Sequence, residues 1–424
     1  VTTAIVIFAL AYSAIAARRL GLLPVTRAAA AWGGAVACVL LGVLTPSQAY
    51  ASIDGDTIVL VISMMVLAAH LEQAGFFEWG GSLSLRLART PTRLLTIVVF
   101  ASGLMSAFLV HDAVCFLMTP VVVGIIRRLR LSPMLFLMAL MTSANIGSVM
   151  TIVGNPQNMI IGSLSGLGFR EFFMTMAPLG IACLLLNRLL LPRFYPLLQR
   201  DSAELRERAE WLDTAFDDAD EVPHDFRHTL ATNLRSSLLI KCIISLGLAQ
   251  IGFFLGLNVA WTALAAAGVL LILAPRQREA FRHVDWQLLL FLAGLFVIIG
   301  ALRSVGANQR LFDWLQPWFG NAAEAQGWRL ALTVFLGCNL FSEIPFVLVA
   351  ADWMKHFADP RSAWLLLAMA STFAGNSFLI SSLANVVVVE RGRTRIGFGS
   401  HLRYGLVISV LTTLLGSLWI LFVT

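Results

Sequence analysis

The sequence predicts an all-α polytopic membrane protein folded as an inverted repeat, with two re-entrant hairpins and two broken transmembrane helices. Three observations predict it. Of the 424 residues, 58% are hydrophobic and only 13% charged, at a mean hydropathy of +0.82, where soluble domains carry roughly a quarter charged residues. Apolar stretches of about 20 residues, the length that crosses a bilayer, recur from the first residue to the last, with one long polar interruption at 193–235. Two segments, 143–158 (SANIGSVMTIVGNPQN) and 371–385 (STFAGNSFLISSLAN), interrupt this apolar pattern with Gly, Pro, Asn and Ser. Such backbone cannot be a smooth lipid-facing helix, because hydrocarbon offers no partner to the freed N–H and C=O groups, so it must line a cavity.

The elements follow in order. Spans are expected near residues 1–17, 28–44, 57–74, 93–126, 134–163, 172–191, 236–256, 258–274, 286–302, 329–350, 362–388 and 404–423. The start, Val1-Thr-Thr-Ala-Ile, runs straight into apolar sequence without a basic n-region or cleavage site, and is expected to be the first span. Segment 93–126 is too long for one plain span and holds His111 and Asp112 at its middle, while 329–350 holds Ser342, Glu343 and Pro345. Both are expected to be hairpins. Residues 1–50 then form the first scaffold spans. A first repeat occupies 51–192, with hairpin 93–126 and broken helix 134–163. A cytoplasmic linker occupies 193–235, and 236–424 supplies the remaining scaffold and a second repeat, with hairpin 329–350 and broken helix 362–388.

Lys and Arg counted over short loops orient the chain. Arg18, Arg19 and Arg27 follow the first span, whereas loop 45–56 has no basic residue. The clusters Arg86/Arg89/Arg93, Arg127/Arg128/Arg130, Arg188/Arg193/Arg200, Arg276/Arg278/Arg282 and Arg391/Arg393/Arg395/Arg403 all fall on the cytoplasmic side, against the exceptions Arg303, Arg310, Lys355 and Arg361. Both termini are therefore expected outside. Residues from Asp54 to Gly75 resemble those from Asp285 to Gly306, Leu104-Met-Ser106 resembles Leu340-Phe-Ser342, and Asn158 falls opposite Asn385. By the charge count Asp54 is outside and Asp285 inside, so the two copies enter the membrane in opposite senses.

Composition also excludes classes. The net charge of +6 comes from short basic clusters between apolar spans rather than one stripe, which fits the membrane rule and not a nucleic acid. Cys38, Cys115, Cys183, Cys242 and Cys338 are scattered singly, with neither disulfide-framework nor zinc spacing. No Gly-x-x-x-x-Gly-Lys-Ser/Thr loop is present, so any energy source is an ion gradient or a separate ATPase chain. No cofactor is expected beyond a coupling proton or sodium ion.

Three groups of residues carry a family resemblance: Ser106-Ala-Phe-Leu-Val-His-Asp-Ala113 with Thr119-Pro120, Asn145-Ile-Gly-Ser148 with Gly154-Asn-Pro-Gln-Asn158, and Ala374-Gly-Asn376 with Ser381-Ser-Leu-Ala-Asn385. Here the chain resembles the ion transporter superfamily, in the branch of arsenite permeases (ArsB-like), NhaD-type sodium/proton antiporters and the melanosomal P protein, with sodium-coupled anion permeases as cousins. The resemblance spans roughly residues 50–424. Asn155 stands where many members carry an acid, His111-Asp112 where an Asp-Asn or Asn-Asp pair is usual, and Glu343 where an amide is common.

The candidate site follows from the broken helices. Half-helix ends at mid-membrane carry partial charge and favour a polar or anionic solute. Around the first end stand Asn145, Gly147, Ser148, Gly154, Asn155 and Asn158; around the second, Gly375, Asn376, Ser377, Ser381, Ser382 and Asn385. These are the expected substrate contacts, with Cys115 added because trivalent arsenic favours thiolate. Asp112, with its neighbour His111, and Glu343 are the expected proton-coupling residues, since a carboxylate inside an apolar segment marks an ion or proton path by default. Proton-coupled efflux of arsenite or antimonite is the leading expectation, because the undissociated trihydroxide is neutral and the motif segments contain no Lys or Arg. A permease for an anion such as a dicarboxylate or sulfate and a sodium/proton antiporter are the alternatives. The expected partners are a small inorganic or anionic solute and the lipid bilayer, with no nucleic acid; the oligomeric state stays open.

Overall fold

The computed structural model describes residues 2–19, 25–88, 90–129, 131–195, 236–274, 277–320, 322–392 and 396–423, and these are mainly helical, with no strand among them. Most of the expected linker, residues 196–235 with Arg200, lies outside the described residues, as do Arg89, Arg130, Arg276, Arg393 and Arg395. Six described helices are long and apolar enough to cross a membrane. The chain is an all-α, multi-pass membrane protein.

Helices α1 (Thr2–Arg19), α2 (Arg27–Leu40) and the short α3 (Pro46–Ser52) come first. Thr26 caps α2 by accepting the Ala29 N–H, and Thr45 and Gln48 form a reciprocal capping box on α3. The first repeat then reads α4 (Gly55–Gln73), α5 (Phe76–Leu87), α6 (Pro91–Phe108), α7 (His111–Arg128), α8 (Pro133–Ser148), α9 (Pro156–Ser165) and α10 (Phe169–Phe194). After α11 (Ser236–Phe254), α12 (Val259–Leu273) and the short α13 (Gln277–Arg282), the second repeat reads α14 (Trp286–Ser304), α15 (Ala307–Phe319), α16 (Ala323–Phe341), α17 (Glu343–Ala350), a 3-10 turn (Ala351–His356), α18 (Pro360–Ala374), α19 (Leu383–Gly392) and α20 (Phe398–Val423). Segments 93–126 and 329–350 are each two helices, and 134–163 and 362–388 each stop and restart. Helices α5 and α15 have no counterpart in the apolar-run reading, because α15 in particular is amphipathic rather than uniformly apolar.

The two copies agree in detail. Asp54 caps α4 by accepting the Thr57 N–H at 2.7 Å, and Asp285 caps α14 by accepting the Leu288 N–H at 3.0 Å. Gly75 (φ 78°) and Gly306 (φ 65°) then turn the chain into α5 and α15 through the left-handed region that glycine enters without a Cβ penalty. Helix α2 packs along α14 and α12 along α4. Glu72, near the end of α4, lies 3.7 Å from His283, just before α14, so the tail of one copy meets the head of the other and the repeat is inverted.

Burial separates core from rim. Every residue of α8 from Leu135 to Ser148 is buried, and α14 is buried almost continuously from Leu288 to Leu302. Helix α11 instead exposes Ile240, Ile243, Ile244, Leu248 and Ile251, and α12 exposes Ile272, the apolar surface a helix presents to lipid. Helices α6 and α8 cross with backbones touching: a Cβ on Gly147 would run into the Gly103 carbonyl. Small residues at such crossings let membrane helices gain dispersion contacts where no hydrophobic drive exists. Polar links fasten the core further. Asn187 on α10 donates to Thr142 (3.0 Å) and Ser143 (2.8 Å) on α8, and the Tyr404 hydroxyl of α20 donates to the Asn187 carbonyl at 3.2 Å.

Arg303, an exception in the charge count, is paired with Asp352 at 2.7 Å.

Candidate functional site

The site grows from two interruptions. Helix α8 ends at Ser148, and Asn155 opens α9 by accepting the Asn158 N–H at 2.7 Å. Pro156 sits at the first helical position, where its missing N–H costs nothing. The Asn158 amide donates to two carbonyls of the break, Thr151 at 2.9 Å and Ser148 at 3.2 Å, and the Asn385 amide of the second copy donates to the Gly375 carbonyl at 2.9 Å. Opposite positions in the two repeats thus close the same kind of break.

The two breaks also touch each other. Asn145 donates to Asn376 Oδ1 at 2.9 Å and to Asn385 Oδ1 at 3.4 Å, while Ser382 donates back to Asn145 Oδ1 at 3.4 Å. Asn155 donates to Ser148 Oγ at 2.9 Å and to Thr372 Oγ1 at 3.1 Å. Ser377 donates to Ser409 at 2.8 Å, and the Asn376 carbonyl lies 3.1 Å from His401 Nε2. Asn145, Asn155, Asn158, Asn376 and Asn385 are all buried. In this conformation they join the crossing segments rather than face open space.

The hairpin tips dock onto this crossing. The His111 N–H donates to the Gly154 carbonyl at 2.9 Å, holding the α6–α7 tip against the first break. At the α16–α17 tip, Glu343 accepts a hydrogen bond from Gln157, and its carboxylate lies where a Cβ on Gly375 would be. Ser342 turns this tip at φ 83°, the one non-glycine residue with positive φ among those described. Such a conformation costs on the order of 1–3 kcal/mol and persists only where surrounding contacts enforce it.

A cavity of about 350 Å³ opens beside the tips. Its deeper polar lining is His111, Asp112, Gln157, Ser342, Glu343, Ser381 and Ser382, and its mouth holds Arg27, Asp285 and Glu390. His111 Nε2 lies 3.4 Å from Asp112 Oδ1. His111 Nδ1 and Gln157 Oε1 are buried and have no hydrogen-bond partner among the described residues, so each offers a group to a polar solute. Four carboxylates face one guanidinium.

Of the residues singled out from the sequence, His111, Asp112, Glu343, Ser381 and Ser382 line this cavity. Asn145, Ser148, Asn155, Asn158, Asn376, Ser377 and Asn385 stand behind it in the crossing, and Gly147, Gly154 and Gly375 allow the close approaches there. Cys115 is fully buried within α7, away from the cavity lining. Sequence reasoning named Gln157, Arg27, Asp285 and Ser342 as motif, charge-count, repeat or hairpin residues but not as site residues, and did not name Glu390. Gln157 had a signal, as the one amide of Gly154-Asn-Pro-Gln-Asn158 without a polar mirror, since Ala384 holds that place in the second copy.

A family model described as "Citrate transporter" (CitMHS) matches residues 5–374. The chain is 27% identical to the "Putative transporter arsB" of Dictyostelium discoideum, an alignment covering 93% of this chain and 87% of that protein. It is 29% identical to the "Silicon efflux transporter LSI3" of Oryza sativa subsp. japonica, over 93% of this chain and 92% of the relative. An uncharacterized transporter of Mycobacterium bovis is 30% identical over 98% of this chain and 97% of its own length. Two inverted copies with broken helices crossing beside a polar cavity, together with a match over most of the length, make this chain a secondary transporter of the CitMHS family in the ion transporter superfamily, and not an enzyme.

Proposed function

We propose that this protein exports small undissociated hydroxy acids of metalloids, arsenite and antimonite foremost, in exchange for protons and by alternating access. The observation that carries this reading is the charge of the cavity. Asp112, Glu343, Asp285 and Glu390 against Arg27 make a lining that repels anions, while Gln157, Ser381 and Ser382 supply neutral donors and acceptors for hydroxyl groups. A neutral trihydroxide loses nothing to this field and gains the hydrogen bonds. The names of two relatives, an arsB transporter and a silicon efflux transporter, support a solute of this kind.

Asp112, with His111 beside it, and Glu343 are the residues we assign to proton exchange. The crossing segments and hairpin tips form the moving core, and α2, α4, α12 and α14 belong to the scaffold against which it moves. The cavity mouth, at Arg27 and Asp285, lies on the side that the arginine count makes cytoplasmic, so this conformation is open inward, with both termini outside the cell membrane. A cysteine at Ser47 is expected to label from outside and one at Arg282 from inside; the reverse pattern overturns the orientation.

The description of the family model favours a second reading, an anion permease. Everted vesicles separate the two. Arsenite accumulation that collapses with a protonophore and ignores sodium is the expected result. Sodium-dependent uptake of citrate, succinate or sulfate, with no arsenite movement, would sink the metalloid reading.

A further inference from the structure

The inverted repeat supplies two equivalent clefts, and this structure shows them in different states. The first is the mouth just described, formed by the starts of α14 and α2 and by α19. The second, about 130 Å³, is formed by the starts of α4 and α12 and by α9, with Asp56, Ser163 and Asn258 in its lining. The registers correspond: Asp54 matches Asp285 as the cap of its helix, and Asn158 matches Asn385, which places Ser163 opposite Glu390. Because α4 and α14 are antiparallel, with their first residues about a helix length apart, the clefts lie at opposite faces.

The narrow cleft is shut by a bond between core and scaffold. Ser163 Oγ on α9 lies 2.9 Å from each carboxylate oxygen of Asp54 at the head of α4, and the Asn258 amide reaches Asp56 at 3.5 Å. The same closure applied to the wide mouth brings Glu390 of α19 onto Asp285 at the head of α14. A hydroxyl against a carboxylate is a hydrogen bond at any ordinary pH. Two carboxylates at that distance cannot both be ionised, and they form a hydrogen bond only when they share a proton.

We propose that Asp285 and Glu390 form a proton-dependent gate, which closes the wide mouth only when the pair holds one proton. Other charges face this pair. Asp112 and His111 approach from α7, Glu343 from α17 and Arg27 from α2. The Glu72–His283 pair stands beside the head of α14, with Arg391 one residue beyond Glu390. Of the charges named, Asp285, Glu390, Asp112, Glu343 and Glu72 are carboxylates against the guanidiniums of Arg27 and Arg391, so acids stay in excess around the gate. The gate therefore adds a proton requirement to the conformational step itself, separate from proton exchange at Asp112. It rests on the alternating-access reading but not on the identity of the solute.

Spin labels at Gln287→Cys and Val387→Cys, both in the mouth lining, report its width by pulsed dipolar distance measurement in liposomes without any metalloid present. The five native cysteines are buried. The closed-to-open ratio is expected to rise as pH falls, by up to about tenfold per pH unit for one bound proton. Glu390→Ser, which copies the shut cleft, is expected to close the mouth at pH 8 and to flatten the profile. A flat profile in the otherwise unaltered protein overturns the gate, as does a Glu390→Ser variant that keeps the full slope. Closure at pH 8 that disappears in Arg27→Gln overturns it too, by showing that the guanidinium neutralises the pair. Failure of arsenite transport with this pH response intact would reject the solute and keep the gate.

Discussion

Asp112→Asn is expected to bring protonophore-sensitive arsenite accumulation in everted vesicles down to the level of empty vesicles, while the purified protein melts at the temperature of its parent. The substitution preserves shape and removes only the ability to gain and lose a proton. Asp112 sits in the first turn of α7, with His111 Nε2 3.4 Å from Oδ1 and no hydrogen-bond partner for that oxygen among the described residues. Its close charged neighbour among the described residues is His111, which adjoins it in sequence, so no long-range ion pair of the fold is lost with its charge. Placing a carboxylate in a membrane segment costs about 2.5–3.5 kcal/mol on insertion scales, so its neutral replacement gives no reason for unfolding. Unchanged transport in this variant would remove Asp112 from the mechanism and leave Glu343 as the coupling acid.

Gly147→Ala is expected to have the largest effect on stability. Its Cβ would meet backbone atoms of Gly103, and backbone cannot swing aside as a side chain can. Helix α6 would have to lift off α8, a helix buried on every side from Leu135 to Ser148 and carrying Asn145 into the crossing. Overpacking in a tight core costs roughly 1–3 kcal/mol, occasionally more, and this site belongs at the upper end. Thermal melting in detergent, followed by retention of the monodisperse peak, measures the loss. Gly268→Ala in α12 is the control, since nothing lies within 4 Å of the added carbon, and it should melt at or slightly above the parent temperature. If both variants melt alike, the α6–α8 contact is not what holds the core.

Much of the fold was legible because local chemistry dictated it. Apolar run length decided the membrane class. Asp54 and Asp285 could be matched because each caps its helix, and Gly75 and Gly306 because each turn requires a left-handed residue. The interruptions at 149–155 and 375–382 could be seen because Gly and Pro do not continue a helix. Helices α5 and α15 were not visible, since an amphipathic segment between spans lacks the uniform apolar run that marks a crossing.

The site divided differently. His111, Asp112 and Glu343 stand out in sequence because charge in apolar surroundings is costly wherever it lies, and the structure brings all three to one cavity. The asparagines stand out because a buried amide is costly unless it is hydrogen-bonded, yet residue type cannot say whether an amide faces a solute or another amide. Asn145 meets Asn376 across 231 residues of chain, and only the crossing of the broken helices decides that contact. Gln157, Arg27 and Glu390 became part of the cavity by the same long-range packing.

By itself the sequence determined the solvent, the apolar spans, their interruptions and the opposed sense of the two copies, because each follows from hydrophobicity, caps, turn residues and basic clusters within a few positions along the chain. The tertiary structure alone decided which polar groups satisfy one another, which remain open to a solute, and which of two equivalent clefts is shut. Those outcomes depend on distances between segments that hundreds of residues separate, and no local preference of the backbone encodes them.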